Sequence, residues 1–133
     1  GLQDGKGVTT LVSSGLGSYD VSFPTRTAET ANGATSPEEL LAAAHSACYS
    51  MQLSAFLAEA GGTVENITTD AEVGVGADPA GGFKLTGITL TVRATVPGLS
   101  AEQFAEAAEK AKTACPVSKA LTGVTITLDA ALA

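Results

Sequence analysis

At 133 residues the chain has the length of one domain, and it is long enough to bury a core without staples. A multi-domain reading is excluded, and residues 1–133 are expected to form a single domain. With 44% hydrophobic and 16% charged residues, 5% aromatics and no Trp, the composition is that of a globular chain whose core is packed from Ala, Val, Leu and Ile. Seven Lys plus Arg against fourteen Asp plus Glu give a net charge of -7 with no basic run, which excludes nucleic acid and anionic membranes as partners.

Residues 6–12 and 18–23 are β-branched or alternating and flank Ser13-Ser14-Gly15-Leu16-Gly17, the pattern of a hairpin. Residues 24–35 contain a proline and many small polar side chains without periodicity, and are expected to be a loop carrying Arg26 and Glu29. Ser36-Pro37-Glu38-Glu39 then opens a helix: Ser36 caps, Pro37 fits the first position and Glu39 completes a capping box. This helix runs to about residue 60, where Gly61-Gly62 stop it after roughly 24 residues or about 36 Å. Between Leu40 and Ala58 it has no charge, and apolar side chains lie on every face. Such a helix is expected to be buried all round, and a domain this small wraps it most readily with the help of a second copy.

Residues 67–75 and 83–96 read as strands joined by Asp78-Pro79-Ala80-Gly81-Gly82, with an irregularity near Gly87. A second helix, capped by Ser100 with Gln103, extends to about residue 113. Cys115-Pro116 opens a short helix to about residue 121, and residues 124–128 close the chain as a strand. The order predicts an α+β fold with a mostly antiparallel sheet. No apolar stretch approaches the roughly 20 residues of a membrane span, and Gly1-Leu2-Gln3-Asp4 has no signal-peptide pattern. A cytoplasmic protein is the default expectation. The chain starts on Gly1 rather than Met, so a removed leader would not be visible.

Two cysteines are too few for a disulfide scaffold. Cys48 sits mid-helix, roughly 16 Å from the helix start and beyond the reach of the positive helix end, which by itself suggests an inert buried thiol. Cys115 caps a helix that begins with proline, where free backbone N–H groups stabilise a thiolate, so local reasoning nominates Cys115 as the reactive thiol. The single histidine, His45, lies three residues before Cys48 on nearly the same face. A Cys/His pair is one reading of it, a packing residue the plainer one. One His and two Cys do not make a structural zinc set. Arg93 alternates outward among threonines and is expected in solvent. Arg26 is either an exposed loop charge or a group that favours the Cys48 thiolate, with Glu38 holding its guanidinium in a bidentate pair.

At Ser36-Pro37-Glu38-Glu39-Leu40-Leu41-Ala42-Ala43-Ala44-His45-Ser46-Ala47-Cys48 and at Cys115-Pro116-Val117-Ser118 the sequence resembles the OsmC/Ohr family. The likeness extends to Gly5-Lys6-Gly7, Thr25-Arg26 and the final strand, and so covers nearly the whole chain. The His-Ser-Ala-Cys form is closer to the OsmC branch than to the Ohr branch. Family members carry a further dozen or so residues before Gly5-Lys6-Gly7.

The resemblance implies an intertwined α+β homodimer with sites at the subunit interface. It implies a thiol peroxidase in which Cys48 attacks an organic hydroperoxide, Cys115 resolves the sulfenic acid to a disulfide, and Arg26 with Glu38 activates Cys48. That ranking reverses the local one. His45 matches no catalytic position of the family. No metal or other cofactor is implied, and the reductant is a dithiol, with lipoylated proteins as partners in the Ohr branch. Met51, Leu53 and Phe56 either wall an apolar substrate site or belong to the core. Two other readings stay open. One is a non-catalytic dimer with a structural disulfide worth about 4 kcal/mol by chain entropy; the other is a small-molecule-binding protein on the same fold. Glu38 and Cys48 are about 15 Å apart along one helix, so an arginine cannot touch both in one subunit. If Arg26 pairs with Glu38 while facing Cys48, that glutamate is expected from the partner chain.

Overall fold

The computed structural model describes residues 1–133 and divides into two compact units, Gly1–Leu40 and Leu41–Ala133. In the first unit β1 (Gly7–Thr10) and β2 (Ser18–Val21) pair antiparallel, Gly7 opposite Val21 and Thr10 opposite Ser18. Gly15 takes the left-handed conformation that their turn needs, at φ 69°. The segment expected as a loop opens instead with a short helix, α1 (Phe23–Thr27). Ser22 caps it by accepting the Thr25 N–H at 3.4 Å, and the fixed φ of Pro24 suits its first turn. The loop after α1 returns to β2, where the Thr35 N–H donates to the Asp20 carbonyl at 2.8 Å in a parallel bridge between Val21 and Thr35. The long helix α2 (Pro37–Glu59) starts there. Ser36 Oγ accepts the Glu39 N–H at 3.1 Å, but the Glu39 carboxylate is taken by Thr35 Oγ1 at 2.5 Å, so only half of the expected capping box forms.

In the second unit α2 ends at Gly61, φ 91°, with the Gly62 N–H on the Leu57 carbonyl and the Gly61 N–H on the Ala58 carbonyl, each at 3.0 Å. This is a Schellman stop, and the left-handed residue it requires is the glycine. The sheet has the order β3 (Asn66–Ala77), β4 (Phe83–Thr95), β5 (Ile126–Leu132). β3 and β4 are antiparallel, while β5 runs parallel to β4. The crossover that a parallel pair demands is supplied by α3 (Ala101–Ala114) and α4 (Pro116–Ala120). β5 starts two residues later than expected and ends four later. Its Asp129-Ala130-Ala131 tail has little strand propensity of its own and is held by pairing with Thr91, Val92 and Arg93. The irregularity in β4 is a bulge at Thr86, left over between the pairs Gly74–Gly87 and Val75–Leu85. A side chain at position 74 would run into Thr86 Oγ1, which is why a glycine stands there.

One face of the sheet is built from three-strand rungs: Val73, Ile88 and Ile126; Ala71, Leu90 and Leu128; Ile67, Ala94 and Leu132. These join Tyr49, Leu53 and Leu57 of α2 and Phe104, Ala107, Ala108 and Ala111 of α3 in one core. Full burial of a side chain such as Leu53 or Leu90 contributes about 2 kcal/mol each. Two polar groups at this core find partners: Ser50 Oγ meets Thr69 Oγ1 at 2.7 Å, and the Tyr49 hydroxyl donates to the Ala108 carbonyl at 3.0 Å. The opposite sheet face carries Asp70, Glu72, Thr89, Thr91, Arg93 and Asp129.

Within one chain α2 is not covered all round. His45, Tyr49, Leu53 and Leu57 form its buried stripe, whereas Ala44, Ala47, Met51, Ala55 and Ala58 are exposed, Met51 at 74%. Small apolar residues all round a helix permit burial of any face, and the fold of one chain uses only one of them. No helix is long and apolar enough to cross a membrane.

Candidate active site

Cys48 sits on α2, half-buried, one turn after His45. Cys115 is fully buried at the junction of two helices: its N–H closes α3 on the Ala111 carbonyl at 3.0 Å, and Pro116 starts α4. Proline cannot donate into the preceding turn and disfavours helical backbone in the residue before it, so the chain breaks at Cys115. The two thiols are free, and Cys115 Sγ and Cys48 Sγ lie within hydrogen-bond distance of each other at 2.9 Å. That is within about 1 Å of the bond length of a disulfide, near 2.05 Å. The structure thus brings together the pair that the family resemblance implied.

Burial pushes the Cys48 thiol up, its contact with Cys115 adds to this, and the Val117 N–H offsets only part. Burial also acts on Cys115, but there the Cys48 thiol, the Ser118 N–H and hydroxyl, and the Val117 N–H outweigh it, and the thiol is lowered. Within the pair Cys115 is therefore the more acidic sulfur, as its place at a helix start suggested. A Cys48 thiolate needs positive charge that this thiol pair does not contain.

The first unit holds the other two candidates. Arg26, in the last turn of α1, donates from Nε to Glu38 Oε1 at 2.6 Å. The expected bidentate pair is not formed: only Nε engages the carboxylate, and Glu38 Oε2 is buried without a partner. The bond lies inside one chain, so Arg26 and Glu38 belong to the same protomer. The reason is local, since the Val21–Thr35 bridge fixes the loop that joins α1 to α2. Glu38 is 6% exposed, while the Arg26 side chain keeps 30%.

Of the three proposed wall residues, Leu53 belongs to the core, Phe56 packs against it under Lys110 at 4.4 Å, and Met51 faces the other way. Arg93 is exposed as expected and pairs with Asp129 at 3.2 Å. The residue that sequence reasoning missed is Ser118, which is buried and lies 2.7 Å from His45 Nε2. A serine two residues into a helix reads as an ordinary polar position, and only its sequel to Cys115-Pro116 hinted otherwise. No group of three or more His, Cys, Asp or Glu gathers where a metal ion could be held.

A family model described as OsmC-like protein matches residues 30–129, a span holding Glu38 and both cysteines. The chain belongs to the OsmC family. It is 44% identical over 128 residues to the peroxiredoxin OsmC of Escherichia coli K12, covering 96% of this chain and 87% of that protein. To the organic hydroperoxide resistance protein OhrA of Bacillus subtilis it is 37% identical over 115 residues, covering 84% and 79%. Among solved structures, an organic hydroperoxide resistance protein from Elizabethkingia anophelis aligns with a TM-score of 0.77 at 27% identity, over 97% of this chain and 96% of that one. The higher identity to the OsmC relative agrees with the His-Ser-Ala-Cys form and favours the OsmC branch.

Proposed function

We propose that this OsmC-family chain is a cysteine-based thiol peroxidase that reduces organic hydroperoxides to alcohols. The observation that carries the reading is the contact of two free thiols, 67 residues apart in sequence, at 2.9 Å in a chain of this family. The names of the relatives, a peroxiredoxin and an organic hydroperoxide resistance protein, support the substrate class.

In the proposed cycle the Cys48 thiolate attacks the distal oxygen of the hydroperoxide. The S–O bond forms as the O–O bond breaks, and the alkoxide takes a proton and leaves as alcohol. Cys115 then displaces the sulfenic oxygen as water, giving the Cys48–Cys115 disulfide, and a dithiol, with a lipoylated protein as the candidate donor, restores both thiols by exchange. Arg26 supplies the positive charge that Cys48 requires. Its terminal guanidinium nitrogens are not engaged by Glu38, which leaves them for a thiolate and a peroxide.

Glu38 and Cys48 are ten residues apart on α2, about 15 Å along the axis, so an arginine bonded to that glutamate is too far along the helix to serve that cysteine. The reading therefore has the Arg26–Glu38 pair of one protomer completing the Cys48 site of a second. The exposed stripe Ala44, Ala47, Met51, Ala55 and Ala58 supports such a homodimer, because small side chains allow two helices to approach closely. Residues 1–133 act as one OsmC-like domain in this dimer, in a reducing compartment such as the cytoplasm, with no role for nucleic acid or membrane. The test is steady turnover of an alkyl hydroperoxide against hydrogen peroxide with dihydrolipoamide as reductant. Preferential consumption of the alkyl peroxide is expected, and no thiol-dependent consumption of either would overturn the reading.

A further inference from the structure

The reducing half of the cycle needs a thiolate to reach one of the two sulfurs, and the fold admits it to only one of them. Cys115 is 0% exposed, in the core of the second unit with Tyr49, Ala107, Ala108 and Ala111. That cover comes from its own chain, so a second copy can add to it but cannot remove it. Cys48 is half-buried, and on α2 it stands between Ala44, one turn before it, and Met51, one turn after it, both exposed.

Disulfide exchange sets two further requirements. The incoming thiolate enters opposite the leaving sulfur, and exchange is faster when the leaving thiol is the more acidic. The sulfurs are 2.9 Å apart and close by only about 1 Å to bond, so the cover of Cys115 persists in the disulfide. Attack on Cys115 would take the thiolate through core side chains and expel the less acidic Cys48. Attack on Cys48 comes from the exposed side of α2 and expels Cys115, the more acidic thiol.

We propose that exchange of the Cys48–Cys115 disulfide passes through Cys48: the reductant forms its mixed disulfide there, and Cys115 is the internal leaving group that carries no adduct. This deepens the thiol-peroxidase reading and rests on that disulfide forming. The first thiolate of the dithiol bonds to Cys48 Sγ as the Cys48–Cys115 bond breaks, and Cys115 leaves as thiolate. The second thiolate of the dithiol then attacks the dithiol sulfur held by Cys48, closes a cyclic disulfide and releases the Cys48 thiolate. The dithiol gives up two electrons and two protons, and both cysteines are reduced. Peroxide and reductant thus meet the same sulfur in turn. A monothiol has no second group to complete the exchange, so its adduct can be caught.

The experiment oxidises the intact protein with one equivalent of an alkyl hydroperoxide and, in parallel, with diamide, which joins neighbouring thiols without a peroxide. Each sample meets 2-mercaptoethanol briefly, is quenched in acidic denaturant and alkylated, and the two cysteines, which fall in different tryptic peptides, are read by mass. Adducts on Cys48 are expected to exceed those on Cys115 by about tenfold or more, the margin that access and leaving-group acidity give together. Adducts shared evenly, or favouring Cys115, would overturn the proposal. A second arm measures access alone with dithiodipyridine. The Cys48 thiol of Cys115→Ser should react about tenfold faster than the Cys115 thiol of Cys48→Ser, the reverse of the order that acidity gives, and denaturant should remove the difference. Faster reaction of Cys115 in the folded protein would also overturn it. If diamide forms the disulfide and the hydroperoxide does not, the peroxidase reading falls and the diamide sample still decides which sulfur is attacked. If neither forms it, both fall.

Discussion

Cys48→Ser is expected to reduce peroxide consumption to background even in a single turnover, whereas Cys115→Ser should consume one equivalent and stop with a trappable sulfenic acid at Cys48. The contrast follows from the order of bond making. Only the first sulfur meets the peroxide, and a serine hydroxyl at that position stays protonated and cannot displace alkoxide at neutral pH. The second sulfur acts after S–O bond formation, so its loss interrupts recycling and not attack. The two thiols touch at 2.9 Å, and Cys115 is the more acidic of them, so their roles are open to reversal by experiment. A Cys48 variant that still turns over once, with sulfenic acid trapped at Cys115, would assign attack to the thiol favoured by its own amides.

Arg26→Ala carries the second large effect. Burial and the neighbouring thiol both hold Cys48 up, and only the Val117 N–H works against them. A guanidinium is the charge that brings such a thiol into its reactive form, and each unit by which the titration moves up removes about tenfold of the thiolate at neutral pH. Peroxide reactivity at pH 7 is expected to fall on the order of 10- to 100-fold, and the pH–rate profile of the first step should shift to higher pH. Arg26→Lys keeps the charge but loses the planar fork, and should recover only part. An unshifted profile in Arg26→Ala would make Arg26 a structural partner of Glu38 and nothing more.

The elements that were legible in the sequence are those whose ends carry their own chemistry. Ser36-Pro37 starts α2 and Gly61-Gly62 stop it, and Ser100 with Gln103 forms both bonds of the capping box of α3. α1 was hidden because five residues hold no period and Pro24 reads equally well as a turn. The parallel placement of β5 was hidden because pairing with β4 is a long-range choice to which alternation within residues 124–128 is blind. In the site, each cysteine's local setting could be read, including the amides that favour Cys115, but their contact across 67 residues came from the family resemblance and not from spacing. Burial of His45 was foreseen. Its bond to Ser118 was not, since nothing in the sequence around His45 points to a residue 73 positions away.

The central claim is that the Arg26–Glu38 pair of one protomer activates the Cys48 of another. Its most direct test mixes the weakened Arg26→Ala protein with the inactive Cys48→Ser protein under conditions that exchange subunits, with heterodimers counted by native mass and activity read above that of Arg26→Ala alone. In a heterodimer the intact Cys48 of the first chain faces the intact Arg26 of the second, so about half the wild-type activity per heterodimer should return. If heterodimers form and no activity returns, Arg26 serves its own chain or none, and the cross-subunit site is wrong.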